Sequence, residues 1–331
     1  MFAELGRWLD TRTSKAEDWV PEAVLAAKQD HRISVVLPAR NEESTVGEIV
    51  DMIRRELRDR LPLVDELVVV DSRSVDATAQ VAAAAGARVI HPDAVLREYG
   101  GRPGKGEALW RALAATTGDL VVFIDADLRN FGPHFVTGLV GPLLADPSLA
   151  FVKGCYERPL TDGAAVQPSG GGRVTELVAR PLINLYWPAL AGFIQPLAGE
   201  YAATRSALER VPFVTGYGVE LALLIDMLAL VGQDALAQVD LGVRVHSHQS
   251  VEALGQMAGH IMLTAWSRLE REGHLVAADV PGQHMVQFRK KGGVRRLEIS
   301  DIGVDELPPL VTVPEYGAAA PQRPERGHGA R

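Results

Sequence analysis

Cys155 is the only cysteine in 331 residues. That excludes an intramolecular disulfide and a cysteine-built structural zinc site, and it points to a reducing compartment, the cytoplasm. Positive charge is also short: 34 Lys and Arg stand against 42 Asp and Glu, a net charge of -8, which argues against a dedicated nucleic-acid binder. An anionic substrate would therefore have to meet local basic side chains, helix N-termini or a metal. Long apolar runs are missing. Met1 to Asp10 lacks the apolar core of a signal peptide. The longest apolar segment, around Leu221 to Val231, is interrupted by Asp226, so no membrane span is expected. Two glycine signatures are absent too. The first strand leads into Ala39-Arg40-Asn41-Glu42-Glu43 with no G-x-G-x-x-G. Around Gly104-Lys105-Gly106, Tyr99 stands where a P-loop needs Gly, and Gly106 where it needs Ser or Thr. Both common nucleotide-binding folds are disfavoured. A sugar-nucleotide pyrophosphorylase is disfavoured as well, because its Gly-rich first loop should follow Leu37.

What is present is an ordinary globular composition, 47% hydrophobic, long enough for one large α/β unit with extensions or for two domains. From Ile33 the chain alternates strand and helix. Ile33–Leu37 reads as a buried strand stopped by Pro38, and Thr45 with Glu48 as a capping box for a helix to about Leu57. Leu67–Val70 is the second strand, and Asp76–Ala85 a helix that Gly86 ends. Arg88–Ile90 is a third strand, followed by a Gly/Pro-rich loop from His91 to Gly106 and a helix over Glu107–Thr116. Leu120–Ile124 is then a fully buried strand. Such alternation implies parallel pairing through right-handed crossovers, a Rossmann-like half able to bind a nucleotide.

The second half is less regular. It reads as a strand over Ala150–Tyr156, a Gly-rich loop over Thr161–Gly172 and a helix from about Arg173. An irregular stretch follows around Pro196–Tyr201, then a helix from Val219 to about Leu230, a strand over Val239–His248 and a long helix over Val251–Glu272. The expected division is 1–30, a mostly helical extension; 31–157, the nucleotide half; 158–275, a mixed acceptor half; and 276–331, an extension whose tail after Tyr316 is disordered.

The chemistry gathers at strand ends. Asp125-Ala126-Asp127 emerges at the C-terminal edge of the Leu120–Ile124 strand, where open α/β sheets bind ligands. Two hard oxygen ligands there suit Mg²⁺ or Mn²⁺ holding a diphosphate, although Asp is also common in plain strand-to-helix loops and the motif alone does not decide between them. Pro38-Ala39-Arg40-Asn41-Glu42-Glu43 and Asp71-Ser72 end neighbouring strands, and either surround a base and ribose or are plain polar loops. Lys105 either stabilises a departing diphosphate or is a solvated loop lysine. Ser169-Gly170-Gly171-Gly172-Arg173-Val174-Thr175, with Glu176 opening a helix, is either an anion site with donors suited to phosphate or a flexible linker, and the Arg/Thr helix start favours the anion site. His246 and His248 share one strand face, as metal ligands or as a surface pair. Glu220 accepts from sugar hydroxyls or merely begins a helix favourably.

Together, ISVVLPARNEE, RPGKGEALWRALAAT, GDLVVFIDADL, GGGRVTELVARPL, QPLAGEYAA, GYGVE and AQVDLGVRVH resemble the glucosyl-3-phosphoglycerate synthases, retaining glycosyltransferases of GT-A fold. The likeness runs from about Ile33 to about Leu254. It implies a UDP-glucose donor, a 3-phosphoglycerate acceptor, a divalent metal (Mg²⁺ or Mn²⁺) and a homodimer. The family's nucleotide contacts fall on Pro38, Ala39, Arg40, Glu42, Ser72 and Lys105, with Asp125 and Ala126 against the ribose and diphosphate. Its metal ligands fall on Asp127 and His246. Glu220, with Tyr217 nearby, holds the glucose hydroxyls, and the backbone at Leu197 lines the anomeric carbon. Gly172, Arg173, Thr175 and His248 meet the acceptor. The catalytic set is then Lys105, Asp127, Glu220 and Leu197. Two positions depart from the pattern: Ala126, where a small polar residue is expected, and His248, where the family has Asn. The competing expectations are a mannosyl-3-phosphoglycerate synthase using GDP-mannose and a non-catalytic sugar-nucleotide sensor.

Overall fold

The computed structural model describes residues 2–102, 104–157, 160–162, 165–167, 172–244, 250–276 and 278–319. Helix α1 (Phe2–Arg12), strand β1 (Thr13–Lys15) and helix α2 (Pro21–Lys28) precede the alternating region. That region comprises β2 (Ile33–Ala39), α3 (Val46–Arg54), β3 (Glu66–Asp71), α4 (Thr78–Ala85), β4 (Arg88–Ile90), α5 (Lys105–Ala115) and β5 (Leu120–Phe123). The chain continues with α6 (His134–Ala145), β6 (Phe151–Glu157), a small hairpin of β7 (Leu160–Asp162) and β8 (Ala165–Gln167), and α7 (Arg180–Tyr186). Then come β9 (Tyr201–Thr204), α8 (Arg205–Leu208), β10 (Phe213–Val214), α9 (Val219–Val231), β11 (Leu236–Val243) and α10 (Val251–Arg271). A hairpin of β12 (His284–Lys291) and β13 (Val294–Asp301), strand β14 (Glu306–Leu307) and helix α11 (Pro314–Ala319) complete it.

Eight strands form one sheet in the order β1-β11-β6-β9-β5-β2-β3-β4. All neighbours are parallel except β9, which runs antiparallel to both β5 and β6. The period-two alternation of a strand divides the apolar side chains between two cores. Val36, Val68 and Val70 face Leu109, Leu113 and Leu224 of α5 and α9, whereas Val35, Leu37 and Val69 face Ile49, Ile53 and Phe135 of α3 and α6. Full burial of each such side chain contributes about 1.5–3 kcal/mol before chain entropy is subtracted.

Several expectations change. Pro38 does not stop the first strand: it pairs in register with Val70. Val36 still accepts from Ile124 on the β5 side, so Pro38, two residues on, turns its missing N–H toward a side that β5 has already vacated. Thr45 forms no capping box; its hydroxyl instead donates to the Ala126 carbonyl at 2.6 Å. Lys105 is the first residue of α5 rather than part of the preceding loop. Thr161–Gly172 is not all loop, since β7 and β8 pair within it. Strand β11 ends at Val243, short of the histidines. The N-terminal extension is not only helical, because β1 joins the main sheet parallel to β11. Gly317–Ala319 belong to α11, and the rest of the tail lies outside the described residues. The C-terminal segment also packs on the main body: Leu307, Leu310 and Val313 are buried. The Trp110 indole N–H donates to the Pro308 carbonyl at 2.8 Å.

Candidate active site

The parallel strands β2, β3 and β5 end at one edge, and the expected nucleotide residues meet there. Ser72 N–H donates to the Ala39 carbonyl at 2.8 Å, which seats the end of β3 beside Pro38-Ala39. The turn after β2 is tied to the loop after β3 by Asn41 N–H to Ser74 Oγ (2.9 Å) and Glu42 N–H to Thr78 Oγ1 (2.8 Å). The Thr45–Ala126 bond ties the same turn to the aspartate motif. Arg40 is exposed and Glu42 half-buried. Burial, aided by the charge of Asp127, pushes the Glu42 carboxyl up to about 7.

Asp125 is gripped by two cations. Its Oδ1 lies 2.5 Å from Lys105 Nζ, and its Oδ2 lies 2.9 Å from Arg244 Nη2. Burial alone would raise its pKa, but the two positive groups outweigh it and hold the carboxyl well below the usual range. Lys105 also reaches Glu220 Oε1 at 2.8 Å. Burial works against its charge, and the attraction of Asp125 and Glu220 overcomes this, leaving the ammonium firmly protonated. On the other side, Arg244 Nη2 lies 2.8 Å from Asp127 Oδ1. Its Nη1 donates to Tyr156 Oη at 2.8 Å and faces Glu200 Oε1 at 3.4 Å. Tyr156 Oη in turn donates to Glu200 Oε2 at 2.7 Å. Glu200 is fully buried, and desolvation keeps its carboxyl raised despite Arg244.

Glycines let these pieces come so close. A Cβ on Gly199 would fall on the Asp125 carboxylate. A Cβ on Gly104 or Gly106 would strike the backbone of Gly216 or Val214, and one on Gly216 or Gly218 would strike His260 or Thr264 of α10. The Lys105 turn thus lies backbone on backbone against the 214–216 turn, while Gly216 and Gly218 leave room for the His260 and Thr264 side chains of α10. Asp305 ties the same stack to the C-terminal segment: its backbone exchanges bonds with Thr215, and its carboxylate pairs with Arg102 at 2.9 Å.

Tyr217 is exposed on this turn, its N–H directed at His260 Nδ1 (3.4 Å), while Glu220 is buried in the first turn of α9. Leu197 sits in the turn that enters β9. Gly172 and the exposed Arg173 begin the helical run leading to α7, with Thr175 buried just inside it. A Cβ on Gly172 would lie 4.0 Å from Gln195 Oε1. Gln195 donates to the Tyr156 carbonyl at 3.4 Å, so the expected acceptor residues adjoin the Arg244 cluster. His246 and His248 lie outside the described residues.

Arg244, Glu200, Tyr156 and Gln195 are functional candidates that motif reading missed. One signal was available: on the strand expected over Val239–His248, Arg244 stands one alternate position before His246. The Arg244 guanidinium bridging two carboxylates also tests their fit to a metal. Oxygen atoms already placed around one cation are the hard donor set that Mg²⁺ or Mn²⁺ takes.

A mixed sheet with a single antiparallel strand and a D-x-D motif at its edge defines a GT-A glycosyltransferase, and residues 34–197 match the family model "Glycosyl transferase family 2". The glucosyl-3-phosphoglycerate synthase of Petrotoga mobilis is 44% identical over 92% of this chain and 93% of its own length. That of Mycobacterium tuberculosis strain H37Rv is 51% identical over 78% and 80%. The chain belongs to the glucosyl-3-phosphoglycerate synthase family. Among solved structures, the mannosyl-3-phosphoglycerate synthase of Rubrobacter xylanophilus has a TM-score of 0.86 at 41% identity, over 93% of this chain and 99% of that one. The Mycobacterium tuberculosis glucosyl-3-phosphoglycerate synthase in complex with Mn²⁺, UDP-glucose and phosphoglyceric acid has a TM-score of 0.77 at 44% identity, over 89% and 95%.

Proposed function

We propose that this chain transfers glucose from UDP-glucose to the 2-hydroxyl of 3-phosphoglycerate with retention of configuration. The observation that carries this reading is Lys105 held between Asp125 and Glu220 at the sheet edge. That pairing supports the reading, because an ammonium can stabilise a departing diphosphate and a neighbouring carboxylate can accept from sugar hydroxyls. Pro38, Ala39, Arg40, Glu42 and Ser72 hold the nucleotide, with Asp125 and Ala126 beside the ribose and diphosphate. Asp127, with His246, would hold a divalent cation, which when bound neutralises diphosphate charge. Glu220 and Tyr217 orient the glucose, and the backbone at Leu197 lines its anomeric carbon. Gly172, Arg173, Thr175 and His248 seat the phosphoglycerate.

Retention by double displacement needs a carboxylate nucleophile. Asp125 and Glu220 are both tied to Lys105, so front-face transfer is favoured. The bond from the anomeric carbon to the diphosphate oxygen breaks, and the acceptor oxygen bonds on the same face. The hydroxyl proton passes to the departing diphosphate. Lys105 stabilises the charge that develops there.

A donor-by-acceptor matrix tests the reading. UDP-glucose with 3-phosphoglycerate should release UDP and give an α-linked product, and chelation by EDTA should abolish turnover until Mg²⁺ or Mn²⁺ is restored. An inverted product, or a trapped glycosyl-enzyme, would sink the front-face step. UDP-glucose binding without acceptor-dependent release would make the chain a sensor. The high TM-score of the mannosyl-3-phosphoglycerate synthase favours a second reading, GDP-mannose as donor, and the same matrix decides it.

Glu42 adds a pH dependence. Its carboxyl is raised to about 7, so below that pH it carries a proton, which a cation arriving at Asp127 must expel. Mn²⁺ affinity in the presence of UDP, measured by calorimetry, should therefore rise with pH up to about 7 and level off above it. In Glu42→Gln this slope should vanish; an unchanged slope would remove Glu42 from the linkage. Among the described residues no helix is long and apolar enough to cross a membrane. We take the site of action to be the cytoplasm and the assembly to be a homodimer. The exposed apolar face of the hairpin, Val286, Phe288, Leu297 and Ile299, suits such an interface.

A further inference from the structure

Lys153 stands in the middle of β6, 1% exposed, and the mechanism above does not use it. Its ammonium donates to the Ala198 carbonyl at 2.8 Å and lies over the ring of Tyr201, 4.9 Å from the centroid. The Phe151 ring is 5.8 Å away on the same strand face. Strand register places Lys153 directly opposite Tyr201. The charged and titratable groups around it come from every packed element: Glu220 of α9, Lys105 of α5, Glu200 and Tyr201 at the entry to β9, and Asp125 beyond β5. Burial is the largest influence and pushes the amine down to about 8. Tyr201 Oη, on the same wall, is buried without a hydrogen-bond partner.

A buried ammonium is an expensive way to fill this space. Replacing buried charges by well-packed apolar groups of similar shape is often neutral or stabilising. What the ammonium does that an apolar chain does not is grip a carbonyl. Ala198 lies between Leu197, whose backbone is assigned to the anomeric carbon, and Gly199, against which the Asp125 carboxylate rests. The turn has few other fixings of its own: Ala198 N–H donates to the Gln195 carbonyl at 3.0 Å, and Gly154 N–H to the Glu200 carbonyl at 2.8 Å.

We infer that Lys153 is a positioning residue for the transfer: by holding the Ala198 carbonyl it fixes the depth of the 197–199 turn, and so the relation between the donor sugar and Asp125. The inference rests on the placement of the sugar at Leu197 proposed above. A shift of about 1 Å at a reacting centre lowers turnover on the order of 100-fold.

The test uses Lys153→Met and Lys153→Gln in the full chain, with thermal melting, calorimetric binding of UDP and of UDP-glucose, and steady-state kinetics. Lys153→Met fills the space without a donor. It should melt at or above the wild-type temperature and bind UDP as wild type does, yet lose about 100-fold in kcat with little change in KM for phosphoglycerate. Lys153→Gln keeps an N–H donor one bond short of the lysine nitrogen, so its kcat should fall only about tenfold. The inference is overturned if either variant, folded, turns over at the wild-type rate. It is equally overturned if both lose the same amount, or if UDP affinity falls in step with kcat. Should Lys153→Met fail to fold, Lys153→Gln alone meets the first and last of these criteria. Wild type that releases no UDP from UDP-glucose with 3-phosphoglycerate would defeat the proposed reaction instead. In that case the affinity gained by UDP-glucose over UDP, which Lys153→Met must reduce, still decides the role of Lys153.

Discussion

Lys105→Met is expected to lower kcat for glucosyl transfer by roughly 10²–10³-fold, the range seen when one preorganised donor to a developing oxyanion is removed. The size follows from what the ammonium touches. It is partly buried, it joins Asp125 at 2.5 Å and Glu220 at 2.8 Å, and it is the first residue of α5. A methionine fills the same volume, leaves Asp125 with Arg244 alone and leaves Glu220 without this cation. UDP affinity should fall far less than kcat, because Pro38, Ala39, Glu42 and Ser72 are untouched. Steady-state kinetics with a parallel UDP titration separate the two effects. A loss in kcat smaller than about tenfold would remove Lys105 from the chemical step.

Arg244→Ala is expected to be the most destabilising single change at the site, by about 3–5 kcal/mol, the penalty for leaving buried charges without their partner. Glu200 is fully buried and keeps only Tyr156, while Asp125 and Asp127 lose their shared cation. The pH dependence has a definite sign. The folded-state Glu200 carboxyl is raised by burial, and it rises further without Arg244. A raised carboxyl binds its proton more tightly in the folded than in the unfolded state, so the variant loses stability as pH climbs from the ordinary carboxylate range through the raised value. Melting temperature against pH should show the gap from wild type widening upward. Melting curves that coincide at all pH values would show that Arg244 holds nothing in place. Asp127 is only partly buried, with 34% of its side chain exposed, so solvent softens its share of the loss.

The sequence was most legible where local pattern and tertiary structure agree. The strands at Ile33, Leu67, Arg88 and Leu120, and the helices between them, emerge from apolar runs and from glycine placement, and they carry the nucleotide residues to one edge. Long-range pairing was not legible. Nothing in Thr13–Lys15 marks it as a strand, because only its neighbour β11 makes it one. Thr45 had the spacing of a cap, but a carbonyl from the aspartate motif competes better for its hydroxyl. Lys153, Glu200 and Arg244 escaped for a different reason. A charged residue inside an apolar run looks like a solvent-facing position until the partners that neutralise it, 44 to 119 residues away, are seen. Asp125 shows the converse: the motif was visible, and the identity of the two cations that hold it was not.

The glycine stack beneath Lys105 bears on tolerance to sequence change. Between the lysine turn and the 214–216 turn the spacers are main-chain atoms rather than side chains. Side-chain volume varies with every core substitution, whereas the thickness of a peptide backbone does not. The height of the Lys105 backbone above the 214–216 turn is therefore set like a gauge block, and drift in the apolar cores on either side of the sheet has little purchase on it. The same rigidity means that any closing movement around a bound substrate must hinge elsewhere, leaving this corner as the fixed reference against which the other parts move.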